Sequence, residues 1–302
     1  MDLSDASGIP RSIRISTLGA STGPDPLLIA GGFNGNFALR RLNAPLSDPT
    51  SFGIITEHEN GITNHIHIVP SRHNSAPITV FCSNDSHIRL MDTETLQFTS
   101  TQPFDFAVNC AATSPCSRLR AVVGDSTDIL ITDAERGSTE FTISNQHQDF
   151  GFAVAWSDDG YTIATGNQDQ TVRIFDARNL TRALKVFPTK IAGCRTLRFS
   201  PQGNGGKKVL AIAEPADYLH IVDATTWEDA QTVDFWGEIG GMEFSPDGDE
   251  VVIANGDRMA GGLMTFQRAK GGRWYQDGLD DGNRWGMETT KRMGADLNGV
   301  FV

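Results

Sequence analysis

The chain has 302 residues, 39% of them apolar, enough for a sizeable core, and no window approaches the roughly 18 continuous apolar residues of a membrane-spanning helix. With 25 basic against 37 acidic side chains it carries a formal charge of −12. That field repels phosphate backbones and anionic lipid, so neither nucleic acid nor a membrane is expected as main partner, and a basic or mixed-charge protein or peptide is the better match.

Read from the N-terminus, short β-prone runs alternate with Gly, Pro, Asn and Asp turn signals in six units: 12–56, 62–103, 106–145, 150–187, 193–235 and 238–268. "SIRISTL" at 12–18 either opens the first unit or pairs with the last, and "GGFNGN" at 31–36 is a turn, lacking the Gly-Lys-Ser/Thr ending of a phosphate loop. The fourth unit is the clearest, with apolar Phe152–Trp156, a turn at 157–160, β-prone 161–165, a turn at 166–170, β-prone 171–176 and a fourth run at 184–187. "GNGGKK" at 203–208 is another turn. Residues 269–302 are rich in Gly and charge, with a possible short helix over 287–293 and a short strand at 300–302. This extension completes or caps the last unit, starts an incomplete seventh, or lies across the others. Residues 1–268 form the repeat domain.

Two markers keep one beat. Turn serines at 114, 157, 200 and 245 step by 43, 43 and 45, and strand-ending aspartates at 92, 133, 176 and 223 step by 41, 43 and 47. A four-stranded antiparallel meander of about 40–45 residues is the unit of a β-propeller. Runs such as "VLAIA" at 209–213 and "VVIAN" at 251–255 are apolar on both faces, as expected where neighbouring units cover both sides of a sheet.

"SDDG…IATGNQDQTVRIFD" in the fourth unit resembles the blade of the WD-repeat (WD40) family, which implies an all-β propeller of four-stranded blades, six recognisable and seven possible. A more distant resemblance, carried by "GGMEFSPDGDEVVIANGDRMAGGLMTFQR", is to a fungal WD-repeat family whose C-terminal region has no assigned function. The family's blade-tying tetrad of His, Ser/Thr, Asp and Trp falls here on His147, Thr165, Asp169 and Phe175. Phenylalanine has no indole N–H to donate, which cuts the chain of bonds short. Asp85 matches the turn aspartate of the tetrad, whereas Ser126 and Ala216 hold that register in their units.

The site candidates are few. His65 and His67 are two apart on a strand and face one way, but no third metal ligand is visible, and "DGLDDGN" at 277–283 lacks calcium-loop spacing. No nucleophile elbow is present. Cys82, Cys110, Cys116 and Cys194 form no C-x-x-C pair and read as reduced, mostly buried thiols in a cytoplasmic or nuclear protein. "FDAR" at 175–178 resembles the W-D-x-R ending by which some WD-repeat proteins dock onto the adaptor of cullin–RING ubiquitin ligases, with Arg178 as the implied contact.

Aromatics recur before the first strand of successive units, at Phe104 and Phe106, Phe150 and Phe152, Phe235 and Trp236. The resemblance puts these connections on a rim of loops, where Phe104, Phe150, Phe152, Trp236 and Arg258 are the candidate protein contacts. The expectation is a non-catalytic scaffold without cofactor or metal, a monomer or subunit of a hetero-complex. The alternatives are a ligase substrate receptor and a propeller enzyme with a channel metal.

Overall fold

The periodic serines and aspartates are turn-makers. In the first-to-second strand turns, Ser117, Gly160 and Gly248 each donate a backbone N–H to the carbonyl of the marker serine three residues earlier, at 2.8, 2.9 and 2.9 Å, and all three have positive φ. The serine hydroxyl then accepts from the incoming strand, as in Leu119 N to Ser114 Oγ at 3.1 Å and Glu250 N to Ser245 Oγ at 2.9 Å. The marker aspartates hold the third-to-fourth strand turns: Asp92, Asp133 and Asp223 each accept two backbone N–H bonds, of 2.7–3.0 Å, from residues two and three further on. A short side chain that accepts from the backbone two or three residues ahead closes a tight reversal, which is why the sequence repeats these residues at one period.

The computed structural model describes residues 13–268, apart from 22, 46, 74–75, 202–206, 229 and 260, together with the strand at 285–291. The chain divides into two compact units, Met1–Val154 and Ala155–Val302. The first holds three four-stranded antiparallel sheets in chain order: β1 (Ile15–Ala20), β2 (Leu27–Gly32), β3 (Asn36–Arg41) and β4 (Ser51–Ile54); β5 (Thr63–Val69), β6 (Ile78–Ser83), β7 (His87–Asp92) and β8 (Phe98–Pro103); β9 (Val108–Thr113), β10 (Leu119–Gly124), β11 (Ile129–Asp133) and β12 (Thr139–Ile143). A fourth sheet comprises β13 (Gly151–Trp156), β14 (Thr162–Asn167), β15 (Thr171–Asp176) and β16 (Lys185–Pro188), with the unit boundary falling inside β13.

The second unit continues with β17 (Thr196–Phe199), β18 (Val209–Ala213), β19 (Ala216–Asp223), β20 (Ala230–Phe244), β21 (Glu250–Asn255), β22 (Gly262–Arg268) and β23 (Trp285–Lys291) in one hydrogen-bonded series. The 15-residue β20 serves two sheets, pairing with β19 through its first half and with β21 through its second. Among the described residues there are thus six four-stranded blades, the last two joined without a loop.

Three expectations are corrected. The helix expected over 287–293 is strand β23, paired antiparallel to β22 from Leu263 opposite Lys291 to Arg268 opposite Trp285. β22 offers an edge of backbone donors and acceptors, and the β-branched Thr289 and Thr290 suit a strand better than a helix. "SIRISTL" does not pair with the last blade, because β1 pairs with β2 from Ile15 opposite Gly32 to Ala20 opposite Leu28. "VVIAN" is not covered on both faces: Val251, Ile253 and Asn255 are buried, but Ala254 is exposed. Only one face of this sheet has a described cover, whereas "VLAIA" is buried throughout. The "DGLDDGN" segment and the strand expected at 300–302 lie outside the described residues.

In the first unit, successive blades are stitched by a repeated side-chain bond that the markers did not announce. Ser16 Oγ donates to Thr63 O at 2.7 Å, Asn64 Nδ2 to Val108 O at 3.0 Å and Asn109 Nδ2 to Gly151 O at 3.0 Å. A small polar residue near the start of each first strand reaches the carbonyl of the next first strand, supplying partners that the sheets' own ladders do not. Arg120 is buried in this unit, with Nη1 donating to Gln102 Oε1 at 3.0 Å and Nε to Thr113 Oγ1 at 3.2 Å.

Candidate interaction site

The most exposed aromatic among the described residues stands where β20 passes from one blade to the next. Side chains alternate across a strand, so adjacent Phe235 and Trp236 face opposite ways. Phe235 packs into the core with its ring 5.9 Å from that of Phe266, whereas Trp236 is 74% exposed. Its backbone is fixed on both sides: Asn255 Nδ2 donates to Trp236 O at 2.8 Å and Gly237 N donates to Asp217 Oδ1 at 2.9 Å. Position 237 must be glycine, since φ is +131° and a Cβ there would collide with the Asn255 amide.

The neighbouring loop is built the same way. Asn255 Oδ1 accepts from Asp257 N at 2.9 Å, Asp257 Oδ1 accepts from Met259 N at 2.8 Å, and Gly256 N donates to Glu238 O at 2.8 Å. This loop presents exposed Arg258 and, at 91% exposure, Met259. Two apolar side chains are therefore held out from backbone that is already hydrogen-bonded, so little ordering would be lost on contact with a partner.

The other rim candidates are placed differently. Phe104 and Phe106, in the connection between β8 and β9, are both half-buried, with ring centroids 6.1 Å apart, against a core that includes Val80, Ile88 and Val122. Phe150 is 43% exposed and Phe152 is half-buried in β13. Trp236 and Phe150 are thus the exposed members of their pairs, whereas Phe104 and Phe106 are both half-buried.

Of the tetrad positions, His147 is buried in the first unit; Thr165 and Phe175 are buried on β14 and β15 in the second. Asp169 Oδ1 accepts from Thr171 N at 3.0 Å and Thr171 Oγ1 at 2.7 Å, which orders the turn into β15. Asp85 is gripped at both oxygens by Arg89, at 3.0 and 2.7 Å. The left-handed residue of this turn class is Gly35, Ser86, Gln170 or Asp217, which puts Ala216 in the register of Asp85 and Asp169. "GGFNGN" forms the turn between β2 and β3, while "GNGGKK" lies largely outside the described residues.

His65 and His67 lie on β5 with ring centroids 5.5 Å apart, and His67 Nε2 meets Thr113 Oγ1 at 2.8 Å. Among the described residues no three His, Cys, Asp or Glu side chains gather as a metal-holding group. Cys82, Cys110 and Cys194 are buried and Cys116 is exposed. Burial pushes the Cys82 thiol up, which removes it from nucleophilic chemistry.

Arg178 is 67% exposed, and its guanidinium is turned back on its own chain. Nε donates to Asp176 Oδ1 at 2.9 Å and Nη2 to Asp176 Oδ2 at 2.7 Å, while the guanidinium carbon lies 4.7 Å from the Tyr161 ring centroid. The side-chain bonds from Arg178, joined by its backbone N–H, pull the Asp176 carboxyl down to about 2. The other marker aspartates lead to a residue at positive φ four positions on, at Leu96, Gly137 and Trp227. Leu180 is absent from that set, and here the Arg178 side chain completes the grip on the aspartate instead.

One polar cluster had no sequence motif. Glu214, buried at the end of β18, takes Lys190 N at 2.6 Å and His220 Nε2 at 2.7 Å on Oε1, and Ile191 N at 2.8 Å and Ala192 N at 3.1 Å on Oε2. His220 Nδ1 meets Thr232 Oγ1 at 3.0 Å, and Tyr218 stacks on His220. The signal was a glutamate ending the apolar run "VLAIAE", where only a structural partner set would justify a buried charge.

The WD domain, G-beta repeat family model matches residues 141–176, the segment with the cleanest turn chemistry. This segment is similar to a WD repeat. An uncharacterised protein of Schizosaccharomyces pombe is 27% identical to this chain over 244 residues, covering 76% of it and 68% of the relative. A chain of a solved mitotic checkpoint complex superposes with a TM-score of 0.68 at 18% identity, covering 86% of this chain and 74% of that one. The fold is accordingly the all-β, four-stranded-blade architecture of WD-repeat propellers, and 18% identity carries nothing beyond the fold. No helix of the described residues is long and apolar enough to cross a membrane.

Proposed function

We propose that this chain is a non-catalytic interaction scaffold of the cytoplasm or nucleus that presents preorganised loop side chains to a protein or peptide partner. The observation that carries this reading is the pair Trp236 and Met259, 74% and 91% exposed on hydrogen-bonded backbone, since aromatic and methionine side chains held in place are what anchors an interface. Two exposed aromatics are contributed independently, Phe150 by the first unit and Trp236 by the second.

Affinity capture with the full chain as bait tests the reading. Trp236→Ala is expected to cut recovery of a specific partner by about tenfold or more, with an unchanged thermal midpoint, because a hot-spot truncation costs about 2 kcal/mol or more of binding. Phe150→Ala and Phe152→Ala should weaken capture less. Variants that unfold the chain, or a partner set indifferent to all three, would remove these residues from the site.

The ligase-receptor alternative rests on Arg178, whose guanidinium is already committed to Asp176 and Tyr161. Arg178→Ala should leave adaptor pulldown at background and the melting midpoint nearly unmoved. Adaptor recovery by the native chain that disappears in the variant would reinstate the receptor reading.

A further inference from the structure

We infer that the exposed face of β20 around Trp236 is a docking strip for an extended partner segment with lysine or arginine at alternate positions, one cationic side chain lying over the Trp236 indole between Asp234 and Glu238. This deepens the scaffold reading and rests on it.

The strip follows from alternation. Asp234, Trp236 and Glu238 are exposed at alternate positions of β20, while Phe235, Gly237 and Ile239 between and beside them are partly or fully buried. Acid, aromatic and acid are therefore exposed in succession, across an irregularity at Gly237 where the β19–β20 register shifts. Among the described residues neither Asp234 nor Glu238 makes an ion pair with any lysine, arginine or histidine. An indole face is the negative pole of the ring quadrupole and attracts a cation. Two carboxylates on either side reinforce that preference and repel an anionic partner, while a purely apolar partner would desolvate both acids without compensation.

The cations nearby do not reverse the sign. Lys190 has its Nζ 4.7 Å from the centroid of Tyr218, the residue opposite Asp234, and Arg258 is exposed on the loop beyond β21. Asp257 accompanies Arg258, and the whole chain carries −12. An extended segment carries same-face side chains at alternate positions, so basic residues there meet Asp234, Trp236 and Glu238 in succession.

The test uses the full chain and fluorescein-labelled nonapeptides of alternating glycine with lysine, glutamine, leucine or glutamate, read by fluorescence anisotropy. The lysine peptide should bind the native chain at least about tenfold more tightly than Trp236→Ala, with binding recovered in Trp236→Phe, which keeps an aromatic face. Asp234→Asn with Glu238→Gln should weaken it severalfold and flatten its salt dependence. Equal binding by native chain and Trp236→Ala would mean attraction by net charge alone and would overturn the inference. So would a leucine peptide that binds as well as the lysine peptide. Thermal melts of each variant confirm folding, since all three side chains are exposed.

Failure of the inference and of the scaffold reading separate cleanly. If the lysine peptide does not bind but Trp236→Ala still loses a captured partner, only the cationic strip falls. If native-chain capture also ignores Trp236, both fall.

Discussion

Glu214→Gln should lower the stability of the chain by about 2–4 kcal/mol, among the largest single-site losses outside the apolar core. The carboxylate accepts three backbone N–H bonds and meets His220, through two oxygens. Glutamine keeps one acceptor oxygen and turns an NH2 toward backbone donors, so at least one N–H among Lys190, Ile191 and Ala192 loses its partner. Hydrogen bonds to a charged group contribute about 1.5–3 kcal/mol each, and an abandoned buried donor adds its desolvation.

The same site gives a pH dependence with a fixed sign. Burial alone would push the Glu214 carboxyl up, but the bonds from Lys190, His220, Ile191 and Ala192 outweigh it and hold it below the usual 4.5. A folded value below the unfolded one means stability that is fully present above pH 4.5 and is lost as pH falls through the lower folded value. Denaturant midpoints measured from pH 7 down to pH 3 should therefore drop more steeply in the native chain than in Glu214→Gln, whose curve lacks this contribution. Parallel curves would show that the carboxylate is protonated or unimportant in the fold.

How much of this was legible depended on whether a residue's job is local. The marker serines and aspartates act within five residues of themselves, so their period carried the length of the repeating unit and its turn positions, while leaving the blade count at six or seven. Asp176 and Arg178 belong to that class, being two residues apart. What connects blades was not legible: Asn64 and Asn109 reach carbonyls 44 and 42 residues away, and Glu214 reaches a loop more than 20 residues back. No short motif encodes such a bond. β23 was misjudged for a related reason, because the open edge of β22 decides its conformation and that edge is not visible in its own composition.

The rim aromatics show the same division. Position before a first strand did not separate Trp236, adjacent to an inward Phe235, from Phe104, which packs beside Phe106. Parity sets Trp236 opposite Phe235 once β20 is placed, but it does not reach Phe104, Phe106 or Phe150, which lie outside strands. What parity could not supply was the Asn255 and Asp217 bonds that make Trp236 a fixed projection.

Arg120→Ala is expected to cost about 3–5 kcal/mol, while Arg120→Met should cost less than about 1.5 kcal/mol or even stabilise the chain. Arg120 is buried and bonded to Gln102 and Thr113, neutral groups, and among the described residues no carboxylate bonds to it. Burial lowers its guanidinium to about 10, partly opposed by Cys82 and Asp133, so it stays charged at neutral pH and the folded chain carries a desolvation cost. Because the folded value lies below the ordinary guanidinium range, that cost applies across the physiological range and is relieved only as pH rises through about 10. Alanine removes the bonds and leaves a cavity beside Gln102, whose amide still donates to Glu135 O at 2.9 Å. Methionine fills most of the volume with no charge to desolvate. Urea denaturation of the two variants decides between bonds and burial: equal, large losses would mean that the bonds to Gln102 and Thr113 outweigh the cost of burying the guanidinium.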